Sequence, residues 1–360
     1  MNLSLRIIAT LSLLVFSSAA SVASPLFDEQ ATLALTIEAP MRELIKKRLD
    51  NPVHDALIRY MDSSGEEVVL RAQLTSRGNA RLDICEFPPL RLIFKKEDTK
   101  GSIFEGHRDL KLVTQCKNNS DGEKWVLQEL GIYRAYNAVT DYSYRARRLD
   151  ITYLDVDSSR WKREQVAFFI EPTRQLASRT GLDSIRPPTI EPRQFHQGEL
   201  AKYMLLQFLI ANTDFSVSRG PSGEGCCHNG RVFTEPGAQE DWVTVPYDFD
   251  QAGIINTDYA LPDRRLGIRT VNVRLYRGFC WQNDSLPEAI ATFKSHRDEI
   301  TAALVPSELS STRQKRIRGF VDGFYDILDD PAELQSRITD KCRGAATFSI
   351  RKTTTSDDQT

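Results

Sequence analysis

Alternation of apolar and polar residues dominates the first half of the chain. Four segments show the two-residue period of half-buried strands, at residues 31–38, 56–61, 67–74 and 90–94. Turn-forming residues such as Ser63-Ser64-Gly65 separate them. Three shorter runs have the same character, at residues 110–114, 148–154 and 165–170. The pattern predicts a β-rich part that covers residues 24–172.

Helical periodicity dominates the second half of the chain, with predicted helices at residues 195–211, 286–304, 307–327 and 331–342; a further predicted helix, at residues 123–140, lies within the β-rich part. The helix at 123–140 carries Val126, Leu130 and Tyr133 on one face. The helix at 331–342 begins with Asp330 as N-cap and Pro331 in the first turn. We therefore predict an α+β fold with a mainly helical part at residues 173–350 and a polar, frayed tail at residues 351–360.

The N-terminus has the features of an export signal. Arg6 precedes an apolar run at residues 7–16, and small residues follow at 17–24. We expect a signal peptide at residues 1–23 that is cleaved; an uncleaved anchor is the alternative. No later stretch is long and apolar enough to cross a membrane, so we expect an exported protein, periplasmic or secreted, without a stable membrane span.

Bulk composition narrows the possible partners. Hydrophobic residues make up 41% of the 360 positions and charged residues 27%, which excludes wholesale disorder. The net charge is −2, so the chain has no overall basic field and nucleic acid is not an expected partner.

In an exported protein the six cysteines are expected to form disulfides, because disulfides persist in oxidising compartments. We predict a bond between Cys85 and Cys116, which flank the same predicted β region. The adjacent pair Cys226-Cys227 would then bond to Cys280 and Cys342. A zinc site is the alternative, but the sequence has no C-x-x-C spacing that would favour it.

Candidate chemistry is concentrated between residues 211 and 253. Asn212-Thr213-Asp214 follows the predicted helix that ends at residue 211. A carboxylate in that place can orient a hydroxyl group and accept its proton, which makes Asp214 a candidate catalytic base. The alternative is a local turn, with Asn212 as a helix C-cap.

Further polar residues follow a Gly/Ser-rich loop at residues 216–225. Asp248 ends an apolar strand and is the first candidate for an Mg²⁺ ligand, since Mg²⁺ prefers carboxylate oxygens and phosphates. Asp250 is a candidate for a second ion or for supporting structure. Asn229 has an amide oxygen suited to the same metal, and His228 is a candidate phosphate contact. A solvent-facing strand end is the alternative.

Basic residues of the β-rich part are candidates for phosphate binding. Arg77-Gly78-Asn79 ends a strand, where backbone N–H groups could cradle a phosphate; an ordinary hairpin turn is the alternative. Lys95, its neighbour Lys96 and Lys111 are the candidate lysines, and Lys111 has apolar residues on both sides. Glu129 is the candidate ion-pair partner of Lys111, although a solvated position on the helix face is the more common arrangement.

Together these segments resemble the spore coat protein H (CotH) family of atypical, exported kinases. The resemblance rests on Arg77-Gly78-Asn79, the strand near Lys95, Glu129 and the stretch from Asn212 to Asp250. The second half of the pattern is also similar to HipA-type and phosphatidylinositol-type kinases. The resemblance implies a bilobal protein-kinase-like fold, with Asp214 as catalytic base. It also implies that Asn229 and Asp248 are Mg²⁺ ligands and that ATP is the phosphoryl donor.

The sequence departs from ordinary kinases in two respects. Asp214 and Asn229 are separated by 15 residues, and a Cys-Cys pair lies between them. A glycine-rich nucleotide loop is absent from the sequence. The leading hypothesis is an exported phosphotransferase that uses ATP and Mg²⁺ or Mn²⁺ to phosphorylate a protein or envelope hydroxyl. The alternatives are a catalytically inactive kinase-fold binding protein of the cell envelope and a metal-dependent hydrolase, which the shortage of nearby histidines disfavours.

Overall fold

The computed structural model describes residues 25–221 and 223–344 of the chain. The predicted signal peptide at residues 1–23 and the predicted tail at 351–360 lie outside this part. The described residues form an α+β structure with a seven-stranded barrel, a three-stranded sheet and ten α-helices. No helix among them is long and apolar enough to cross a membrane.

The barrel contains the strands that alternation predicts. Its members are β1 (Leu33–Ala39), β2 (Val53–Met61), β3 (Glu67–Ser76), β4 (Leu90–Ile93), β5 (Asp109–Val113), β6 (Ala146–Asp155) and β7 (Ser158–Ile170). They lie in the order β1-β2-β3-β4-β5-β7-β6, and β6 closes the barrel by pairing in parallel with β1. The inward positions of each strand form one hydrophobic core, in which Ile37, Ile58 and Leu74 have no exposed surface.

A smaller antiparallel sheet lies in the second half of the chain. It consists of β8 (Asp183–Ile185), β9 (Gly230–Thr234) and β10 (Val243–Pro246), in the order β10-β9-β8. The hairpin of β9 and β10 ends at the pair Gly230 and Pro246. The residues that precede β9 and the residues that follow β10 therefore lie at the same end of this hairpin.

The α-helices are short except for α4, α6 and α9. In chain order they are α1 (Pro25–Asp28), α2 (Met41–Lys46), α3 (Ala80–Ile84), α4 (Ser120–Asn137), α5 (Thr173–Thr180), α6 (Gln197–Leu209), α7 (Leu286–Ser295), α8 (Arg297–Leu304), α9 (Ser311–Asp329) and α10 (Pro331–Arg337). Helices α4 and α6 to α9 share a second hydrophobic core with β9, β10 and one end of the barrel.

Helix α4 packs against α8 and against strands β6 and β7 of the barrel, and it is buried on most of its circumference. Asn119 caps its start, because the side-chain oxygen accepts the N–H groups of Asp121 and Gly122 at 3.0 Å. Gly131 allows close contact with α8: a Cβ at this position would lie 2.3 Å from the carbonyl oxygen of Ala303. This packing fixes the position of α4 beside the residues that follow β10, here called the Asp248 segment, in which the N–H of Asp248 donates to Tyr133 Oη of α4 at 3.1 Å.

The helix boundaries differ from the predicted ones where side chains compete for backbone groups. The predicted helix at 286–304 is two helices that meet at His296, where Ser295 Oγ and His296 Nδ1 both contact the carbonyl of Thr292. The helix predicted from residue 307 begins at Ser311, after Ser310 accepts the N–H of Arg313. The predicted N-cap at Asp330 is confirmed, and α10 ends at Arg337 rather than at residue 342.

The first predicted disulfide is confirmed and the other pairing is wrong. Cys85 bonds to Cys116, whereas Cys226 bonds to Cys227 and Cys280 to Cys342. Two backbone hydrogen bonds bring the C-terminal segment to residue 280: Cys280 N–H donates to Arg343 O, and Arg343 N–H donates to Gly278 O. That pairing leaves the adjacent cysteines to each other. Three disulfides fit an exported protein.

Candidate functional site

Two of the predicted metal ligands lie at the same end of the β9–β10 hairpin. Asn229 directly precedes β9, and Asp248 follows β10 by two residues. The N–H of Tyr247 donates to the carbonyl of Asn229 at 3.2 Å, so the hairpin pairing continues one step beyond the strands. Asn229 and Asp248 have positive φ angles of 51° and 63°, which Asn and Asp tolerate better than most residues. The two residues therefore lie at the same end of the hairpin.

Asp214 is held in a tight turn after α6. Ala211 has a φ of 51°, and Asn212 Oδ1 accepts the N–H of Asp214 at 3.0 Å. Arg277 donates to the carbonyl oxygens on both sides, those of Thr213 at 2.7 Å and Phe215 at 2.9 Å. Asn212 thus forms an Asx turn; the C-cap of α6 is residue 210.

Hydrogen bonds join Asp214 to the residues before β9. Asn229 Nδ2 donates to Asp214 Oδ2 at 2.9 Å, and His228 Nε2 lies 2.7 Å from Asp214 Oδ1. The bond to Asp214 raises the pKa of His228. Because the amide nitrogen of Asn229 is engaged, its Oδ1 is the atom suited to a metal. His228 is therefore a direct partner of Asp214, whereas the sequence made it only a candidate phosphate contact.

Lys111 and Asp248 line one cleft of about 420 Å³. Lys111 projects from β5, and its Nζ lies 5.5 Å from the ring centre of Tyr247. It keeps solvent contact in the cleft, but surrounding protein atoms displace much of its hydration. This desolvation and the neighbouring charges of Arg77 and Arg231 lower the pKa of Lys111 to about 8. Lys111 forms no ion pair with the part of the chain that the structure describes.

Arg81, and not Lys111, is the ion-pair partner of Glu129. Its Nη2 lies 3.4 Å from Glu129 and 2.7 Å from Asp248, and its Nε lies 2.9 Å from Asp250. Glu129 is only 3% exposed, so the solvated position expected for it is wrong, and its partner is Arg81. Burial raises the pKa of Glu129 to about 7, against the opposing effect of Arg81.

Nothing in the sequence pattern singled out Arg81. It lies on the short helix α3, whose five residues are too few to show a helical period in the sequence. One signal was present: Arg81 precedes Cys85 by four positions, and the predicted bond to Cys116 brings that segment close to the start of α4.

The remaining predicted residues are distributed over different parts of the structure. Arg77 lines the cleft with Lys111, and its Nε donates to the carbonyl of Leu90 at 3.1 Å. Gly78 and Asn79 are exposed and do not line the cleft; Gly78 has a φ of 99°. Lys95 is exposed at another depression, beside Glu38 and Asp55. Of the candidate lysines, only Lys111 lines the cleft with Asp248.

The donor atoms suit Mg²⁺ held together with a polyphosphate. Among residues 25–221 and 223–344, no three or more His, Cys, Asp or Glu side chains are arranged to hold a metal ion. Mg²⁺ usually takes one or two protein carboxylates, with phosphates and water completing its shell. Asp248, with its side chain 47% exposed, and Oδ1 of Asn229 fit that requirement. Five basic residues line the cleft and can balance phosphate charge: Arg77, Lys111, Arg174, Arg186 and Arg231.

Comparisons of the chain with models of protein families, with curated proteins and with solved structures find no match. The function of the site is therefore inferred from its residues and their geometry.

Proposed function

We propose that the protein is a phosphotransferase that uses Mg²⁺ or Mn²⁺ and moves the γ-phosphate of ATP to a hydroxyl group. The observation that carries this proposal is the connection of Asp214 to Asn229 and of Asn229 to the Asp248 segment, at the end of one hairpin. Lys111, from the barrel, lines the same cleft as Asp248. The barrel and the helical part then correspond to the two lobes of a kinase-like arrangement.

Each side chain has a distinct part in the proposed transfer. The carboxylate of Asp214 is 40% exposed and fixed by His228 and Asn229, so it can orient an acceptor hydroxyl and take its proton. The acceptor oxygen then bonds to the γ-phosphorus as the bond to the ADP oxygen breaks. Lys111 and Arg77 neutralise charge on the phosphates. A divalent ion held by Asp248 and Asn229 would supply further charge neutralisation when bound.

We propose an exported location, periplasmic or secreted, for this reaction. The three disulfides support it, because such bonds rarely persist in a reducing cytoplasm. The phosphoryl acceptor is then a hydroxyl of a secreted or envelope protein, or of another envelope component, and ATP must be present in that compartment.

One observation favours a second candidate, a catalytically inactive binding protein of the same fold. Arg81 donates a hydrogen bond to Oδ1 of Asp248, which is the proposed metal ligand. One of the two carboxylate oxygens of Asp248 is therefore already engaged. A binding protein would retain the cleft and its basic residues without transferring phosphate.

The two candidates are separated by incubating the purified chain with γ-labelled ATP and Mg²⁺ or Mn²⁺, beside an Asp248→Ala variant. Transfer of label to the protein or to an added envelope extract, abolished in the variant, is the result that the phosphotransferase predicts. A rise in Tm with metal and nucleotide but without transfer supports the binding protein. No response to either ligand contradicts both candidates.

A further inference from the structure

A cation of the protein itself lies among the carboxylates of the site. The guanidinium of Arg81 donates to Asp248 Oδ1 at 2.7 Å and to Asp250 Oδ2 at 2.9 Å. Its Nη2 also lies 3.4 Å from both carboxylate oxygens of Glu129. Arg81 therefore bridges the two aspartates that follow β10, with a third acid beside it.

The two aspartates face different spaces. The side chain of Asp248 is 47% exposed and lines the cleft. The side chain of Asp250 is 11% exposed and lines a separate, narrow cavity of about 10 Å³, together with Arg81 and Tyr259. Glu129 borders both spaces. A cation that enters the cleft meets Asp248, whereas Asp250 lines the narrow cavity and not the cleft.

Displacing Arg81 from this position would be costly. Its side chain is 14% exposed, and the side chain of Glu129 is 4% exposed, so neither can regain full hydration without a larger movement. Removing one partner from a buried ion pair leaves an uncompensated charge in a poorly hydrated site. A second divalent ion between Asp248 and Asp250 would therefore have to expel a cation that is already bound through three acids.

We propose that Arg81 is a resident cation between Asp248 and Asp250, so that the site takes one divalent ion, on the cleft side of Asp248, instead of two. Asp250 and Glu129 are then counter-ions of Arg81. This assigns Asp250 the supporting role and not that of a ligand for a second ion. The inference rests on the proposed function, because it specifies the metal content of the same site.

The number of ions is measured by equilibrium dialysis of the full chain against Mn²⁺, in the presence of a non-hydrolysable ATP analogue. We expect one Mn²⁺ per chain for the wild type and two for Arg81→Gln, which keeps a polar side chain but removes the charge. Arg81→Lys, which keeps a charge, should bind one. Arg71→Gln is the matched control, because Arg71 is exposed on β3 outside the cleft, and it should also bind one.

A second pair of variants tests the roles of the two aspartates without removing Arg81. Asp250→Asn should leave the affinity for Mn²⁺ within about twofold of the wild type, because Asp250 does not contact the ion and Glu129 and Asp248 still compensate Arg81. Asp248→Asn should lower the affinity by about tenfold or more, because a direct charged ligand is lost. This pair decides the question even where Arg81→Gln fails to fold, as judged by circular dichroism.

The outcomes distinguish the inference from the function on which it rests. Two Mn²⁺ ions on the wild type, or one on a folded Arg81→Gln variant, overturn the inference and leave the phosphotransferase intact. An equal loss of affinity in the two aspartate variants also overturns it. No Mn²⁺ on the wild type with nucleotide present overturns the proposed function, and the inference with it.

Discussion

His228 Nε2 lies 2.7 Å from Asp214 Oδ1. Along the chain, Asp214 precedes the bonded pair Cys226-Cys227 and His228 directly follows it. The contact is at the surface of the site, since 37% of the His228 side chain and 40% of the Asp214 side chain are exposed. The bond to Asp214 raises the pKa of His228 above its ordinary value of 6.5. The charge of this histidine therefore persists to a higher pH than in an unfolded chain.

Replacing His228 should lower the stability of the protein in a pH-dependent manner. A histidine whose pKa is raised by folding stabilises the folded state fully below its unfolded pKa of 6.5, and this contribution is lost as the pH rises through the folded pKa. We expect the loss of Tm in His228→Gln, relative to wild type, to be largest at pH 5 to 6 and to shrink at alkaline pH. The effect should be small because the pair is exposed. An equal loss of Tm at pH 6 and pH 9 would contradict this account.

Lys111 should make nucleotide binding sensitive to pH. Its pKa of about 8 means that the charged form, which binds phosphates, disappears as the pH rises through 8. We expect the affinity for an ATP analogue to fall over that range in the wild type and to stay level in Lys111→Arg, whose charge persists.

The same residue is tested at fixed pH by removing its charge. Lys111→Met should weaken binding of the ATP analogue at pH 7 by roughly ten- to hundredfold, the effect of losing a charged hydrogen bond. Lys95→Met is the matched control, because Lys95 is exposed at another depression of the barrel, and it should bind as the wild type does. Calorimetric titration gives both affinities; comparable losses in the two variants would refute the assignment of Lys111.

The bond between Cys85 and Cys116 connects two parts of the site. Cys85 directly follows the helix that carries Arg81, and Cys116 precedes the helix that carries Glu129. Replacing both cysteines by serine should reduce the free energy of unfolding by roughly 3 to 4 kcal/mol, from the entropy of the opened loop. It should also raise the number of Mn²⁺ ions bound per chain from one towards two, because Arg81 loses its fixed position between Asp248 and Asp250.

Replacing Cys280 and Cys342 by serine is the control for that prediction. Their bond spans 62 residues, so the loss of stability should be similar, roughly 4 kcal/mol. These cysteines lie away from Arg81, and Mn²⁺ binding should be unchanged in the folded variant. Denaturant titration and dialysis separate the two effects; an equal effect of both disulfides on Mn²⁺ binding would argue against a connection through Arg81.

The strands, the main helices and the segment of candidate chemistry could be predicted because they depend on local patterns. Alternation located all seven barrel strands, and the apolar face of α4 was confirmed by the burial of Val126 and Leu130. The closure of the barrel by β6 and β1 could not be predicted, since it depends on pairing between strands more than 100 residues apart.

The ion pairs of the site could not be predicted from the sequence either. Arg81 reaches Asp248 across 167 positions, and no spacing rule relates two residues so far apart. Glu129 was expected on a solvated helix face because charged residues usually lie there. Its burial follows from the packing of α4 against α8 and against strands β6 and β7, which a single helix pattern does not reveal.

The central claim is that Asp214 accepts the proton of a hydroxyl group during phosphoryl transfer, and one comparison tests it most directly. The rate of label transfer from γ-labelled ATP is measured for the wild type and for Asp214→Asn, which keeps the size and polarity of the side chain. We predict a loss of roughly 10²- to 10⁴-fold in rate with unchanged binding of the ATP analogue. Label transfer by Asp214→Asn at the wild-type rate would contradict the account.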